Sequence, residues 1–130
     1  MKVTETNSNI IFLLTIGASI YKNEYIYLVL AISIFIASYF YHFAKDNIKY
    51  KSHILSIRYA DIFVAAMSYV YMFYFVYSYV SQYQSLLYFL LFITLLLFVF
   101  GKTKQGKRRN VHSYFHIAIG LVSSLIVLLK

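Results

Sequence analysis

Val111-His112-Ser-Tyr-Phe-His116-Ile-Ala-Ile-Gly-Leu-Val-Ser-Ser-Leu-Ile-Val-Leu-Leu129 is an apolar run that opens on two histidines and follows a charged loop, Lys102 to Asn110. At about 1.5 Å per residue, a helix over this stretch matches most of the ~30 Å hydrocarbon core of a bilayer. Histidines at i and i+4 share one helix face, about one turn apart, a separation from which both reach a single metal ion. The rest of the chain is read for what it brings to that spot.

Composition points to the same solvent. The chain has 130 residues, 62% hydrophobic and 12% charged, with no proline and no tryptophan. That is too little polar surface to cover a soluble globule of this size, so the bilayer is the expected environment. The absence of cysteine excludes disulfides and thiolate metal sites. A net charge of +8 would suit nucleic acid. The charges, however, lie in short loops between apolar runs, which is a membrane-topology pattern, and no nucleic-acid partner is expected.

The sequence predicts an all-α integral membrane bundle of five transmembrane helices in one domain, residues 1–130, with helices at about 10–21, 25–44, 54–80, 86–100 and 111–129. The first is marginal in length and is read as a retained short helix, since no clean signal-peptidase site follows it. Asn7, Ser8 or Asn9 is expected to cap it, and Gly101 to cap the fourth. Five crossings gather Lys2, Lys45, Lys49, Lys51, Lys102, Lys104, Lys107, Arg108 and Arg109 on one side, leaving Lys22 and Lys130 on the other. By the positive-inside rule the N-terminus is cytoplasmic and the C-terminus outside. Many of the tyrosines read as interfacial anchors.

Of the four acidic residues, only Asp61 falls within a predicted helix, two turns from the cytoplasmic end. A carboxylate at that depth is costly and needs a partner or a task. A pair with Arg58 at i−3, or snorkelling to the interface, is the plain explanation. His42 lies in the last turn of the second helix with Ser38 one turn earlier on its face, and His53 reads as a solvated loop residue. The second helix ends on the side where the third and fifth begin. Ser38, His42, Asp61, His112 and His116 therefore fall in one cytoplasmic-side layer. Three imidazoles with an open fourth position are the catalytic form of a zinc site, with the carboxylate as a base or an orienting group.

Ser38-Tyr-Phe-Tyr-His42, Asp61 in Arg-Tyr-Ala-Asp, and His112-Ser-Tyr-Phe-His116 together resemble the S-x3-H, D and H-x3-H signature of the CREST membrane hydrolases. That superfamily includes the alkaline ceramidases, the progestin and adipoQ receptors and the myomaker-like proteins. The resemblance implies Zn2+ held by His42, His112 and His116, with Asp61 and Ser38 as catalytic residues beside it. It also implies hydrolysis of an amide or ester in a membrane lipid such as ceramide. The family has seven helices where this chain has room for five. Losing two keeps the alternation of sides but thins the wall around a lipid chain, which a homo-oligomer would restore. Two other classes fit parts of the sequence: a non-catalytic metal or haem membrane protein, and a small basic effector or pore former without metal.

Overall fold

A computed structural model describes residues 8–45, 47–101 and 109–130. The basic residues Lys2, Lys102, Lys104, Lys107 and Arg108, together with Asn7 and Asp46, lie outside them. Among the described residues the chain is all-helical, without strands. A 3-10 turn, Asn9–Ile11, leads into α1, Phe12–Tyr21, followed by α2, Tyr25–Lys45, α3, Ile54–Tyr79, α4, Gln84–Gly101, and α5, Arg109–Leu128. The ends differ from expectation by two residues or fewer at most boundaries, as is usual where helices fray. The caps differ more. Ser8 makes no side-chain cap, and Asn9, another of the capping candidates, is fully buried.

Among the described residues two helices, α2 and α3, are long and apolar enough to cross a membrane, whereas α1, α4 and α5 contribute shorter apolar stretches. The packing order is α3–α2–α1–α5–α4, with α3 and α4 in sparse contact. A hydrophobic centre of Phe75, Val76, Val80, Leu87, Leu91, Ile119, Ile126 and Val127 is sealed from solvent.

The turns have local causes. Asn23 adopts φ 57°, a left-handed conformation that asparagine tolerates, so that Glu24 N–H can donate to the Ser19 carbonyl and close α1. At the end of α3, Gln84 Nε2 donates to the Val76 and Tyr77 carbonyls at 3.2 and 3.4 Å, the former also accepting the Val80 N–H, and so ties the start of α4 to the last turn of α3.

Polar side chains face inward. The Gly120 carbonyl accepts from the hydroxyls of Thr15 at 3.1 Å and Ser124 at 2.7 Å, stitching α1 to α5. Ser123 Oγ donates to the buried Tyr27 hydroxyl, and Tyr69 OH donates to Thr94 Oγ1 at 2.8 Å between α3 and α4. Outward positions carry Ile26, Phe63, Val70, Phe89 and Leu121, all at least half exposed. At the end opposite the histidines, Lys130 pairs with Glu24 and lies over the Tyr79 ring.

Candidate metal centre

α2 delivers His42 from its last turn, and α5 delivers His112 and His116 from its first two turns. The antiparallel course of these helices brings the ends together, and the i, i+4 spacing turns both α5 imidazoles the same way. His42 Nε2 lies 3.2 Å from His116 Nε2, which lies 3.2 Å from His112 Nε2. A ligand nitrogen from each of the three falls within 4.8 Å of the others. His42 and His116 are buried and His112 is half-buried.

The donor geometry fits a metal. A tetrahedral ion with bonds of about 2.0–2.1 Å spaces its nitrogens about 3.3 Å apart, close to the two separations made by His116. Hydrogen bonding alone serves the trio poorly. An imidazole nitrogen carries one proton or one lone pair, directed in the ring plane. His116 Nε2 faces two nitrogens, with its ring at 86° and 87° to those of His42 and His112. One proton satisfies one neighbour, whereas one cation satisfies all three lone pairs. A buried His42/His112/His116 group that can hold a metal ion is therefore present. Bis-histidine haem ligation would need two imidazoles on opposite faces of a macrocycle, for which nitrogens 3.2 Å apart leave no room.

Aromatic rings wall the site. Phe12 meets His116 edge-on at 5.9 Å, Tyr41 lies 5.1 Å from His42, and Phe115 lies 5.4 Å from His116 and 5.8 Å from His112. Phe115 is also one wall of an apolar cleft of about 340 Å³ between α3 and α4, bounded by Ile62, Ala65, Tyr69 and Phe73 on one side and Leu95 and Phe98 on the other. That volume is at the small end of ligand pockets, which run about 300–1,000 Å³.

The remaining expected residues are placed differently. Asp61 is half-buried, two turns into α3, and is not one of the three residues whose ligand atoms cluster. Ser38 is buried one turn from His42, but its hydroxyl donates to Asn9 Oδ1 at 3.2 Å. Ser38 is therefore bonded to a neighbour that the sequence does not suggest. His53 is exposed at the start of α3. Asn9 is the residue that sequence reasoning missed. Its one signal is the position three residues before Phe12, on the same helix face, in the segment that packs against α5.

No family model, curated protein or solved structure matches this chain.

Proposed function

We propose that this chain is a five-span integral membrane hydrolase in which His42, His112 and His116 bind Zn2+ and an amide or ester of a membrane lipid is cleaved at the cytoplasmic side. The observation that carries the proposal is the convergence of three imidazoles from two helices, with His116 Nε2 3.2 Å from the Nε2 of both His42 and His112 and all three ligand nitrogens within 4.8 Å. The order S-x3-H, D, H-x3-H supports a place beside the CREST hydrolases.

The membrane reading rests on an apolar exterior over a hydroxyl-lined interior. Soluble monomers rarely expose large contiguous apolar patches, and small polar residues are the usual contacts between membrane helices. The 18 residues of α4 give about 27 Å, within reach of a ~30 Å core, and the shorter α1 is accommodated by local thinning. The bias of Lys and Arg among the loops supports a cytoplasmic N-terminus.

When bound, Zn2+ supplies Lewis acidity toward a carbonyl and a source of hydroxide near neutral pH. The protein's part is positional. The three imidazoles would hold the ion, and the rings of Phe12, Tyr41 and Phe115 pack around them. The cleft along α3 offers an acyl chain an apolar path that ends at Phe115, beside the histidines. Ile62 on that path directly follows Asp61. Asp61 acts as the general base, taking a proton from the attacking water and returning it to the departing amine or alcohol.

The test is elemental analysis with a lipid-hydrolysis assay on the purified protein. Wild type should carry about one zinc per chain, and His116→Ala should lose both the zinc and the turnover. Turnover undiminished in that variant refutes the proposal.

A further inference from the structure

Asn9 is wholly buried, and among the described residues its amide nitrogen has no hydrogen-bond partner. A buried N–H donor left in that state is costly and uncommon in folded proteins, and a bound water, ion or ligand is one way to satisfy it. The other half of the amide is engaged: Oδ1 accepts the Ser38 hydroxyl at 3.2 Å. Two contacts bracket the group at the metal centre. Ser38 stands one turn from His42 on the same face of α2, and Phe12, three residues beyond Asn9, meets the His116 ring at 5.9 Å. A hydroxyl has a single hydrogen. With that of Ser38 turned toward Asn9, Ser38 does not supply a donor to a reacting oxygen. The amide next to it has two hydrogens to offer.

We propose that Asn9 is the hydrogen-bond donor of this site: its Nδ2 donates to a carbonyl or hydroxamate-type oxygen held before the three imidazoles, while its Oδ1 anchors Ser38. This assignment rests on reading the trio as a metal centre. It makes the 3-10 turn Asn9–Ile11 part of the site and gives the short first helix a chemical task.

The test uses the full-length protein in detergent, loaded with Co2+, whose visible spectrum reports its ligands, and titrated with acetohydroxamate. Two variants are compared with wild type. Asn9→Asp keeps an acceptor for Ser38 and removes the donor; Asn9→Leu keeps the shape and removes both. Both should retain the cobalt spectrum, because neither changes an imidazole, and both should bind acetohydroxamate about tenfold more weakly, the effect of one lost hydrogen bond to a polarised oxygen. Unchanged hydroxamate affinity in Asn9→Asp overturns the assignment, even if Asn9→Leu has a lowered melting midpoint. A wild-type chain that takes up no cobalt overturns the metal reading and this inference with it. A chain that behaves as expected toward cobalt and hydroxamate but hydrolyses no lipid overturns only the proposed reaction.

Discussion

Tyr83, at the entry to α4, holds φ at 64°, where the β-carbon of an L residue crowds its own backbone at a cost of about 1–2 kcal/mol. Its ring is mostly exposed, so little packing offsets that cost. Tyr83→Gly should therefore stabilise the protein by roughly 0.5–1 kcal/mol, the steric relief exceeding the backbone entropy that glycine loses on folding. Chemical unfolding in detergent would measure it, and a lower stability would show that the ring contributes more than its exposure suggests. The histidines illustrate what single residues reveal in advance. The i, i+4 spacing of His112 and His116 is a local property of one helix, so it was legible in the sequence. That His42 joins them depends on which end of α2 it occupies, which was legible, and on which face of α2 turns inward, which was not. Asn9 was not legible, because its partners, Ser38 and the helices around it, are distant in sequence and an asparagine before an apolar run ordinarily reads as a cap.

Between elements, α5 packs closely at Gly120 on the 3-10 turn that leads into α1. A β-carbon at Gly120 would stand 2.6 Å from Ile11 Cγ2 and within 3.3 Å of two further Ile11 atoms. Gly120→Ala should push α1 outward and strain the Thr15 bond to the Gly120 carbonyl, destabilising the protein by about 1–3 kcal/mol, the usual penalty for overpacking. Gly17 is the internal control. Nothing lies within 4 Å of a β-carbon there, and Gly17→Ala should be stabilising by about 0.5–1 kcal/mol through helix propensity alone. Equal behaviour of the two variants in thermal unfolding would refute that close packing. Helix existence and order were readable because long apolar runs are separated by polar turns. Hidden from the sequence was which faces meet, because outward and inward positions are almost equally apolar: α3 is hydrophobic nearly all round, with Phe63 and Val70 outside and Phe75 and Val76 inside.

For the molecule as a whole, the open line lies between α3 and α4, where the Tyr69–Thr94 hydrogen bond and the stack of Phe73 on Tyr88 bridge helices that otherwise touch little. If the cleft beside them takes the acyl chain, filling it should separate substrate binding from metal binding. Ala65→Phe should lower kcat/KM for lipid by about tenfold, the worth of roughly two methylenes withheld from burial, with zinc content unchanged. Loss of zinc in that variant would show that the cleft supports the histidines instead of serving the substrate. The packing order also has a consequence for biosynthesis. Thr15 bonds to Gly120 across 105 residues, and His42 meets His116 across 74. As the polypeptide emerges from the ribosome, α1 therefore waits for α5, and a nascent chain lacking α5 offers a single imidazole of the three. An ion bound by all three imidazoles would therefore be a certificate of completed assembly, issued only once α5 has brought His112 and His116 to His42.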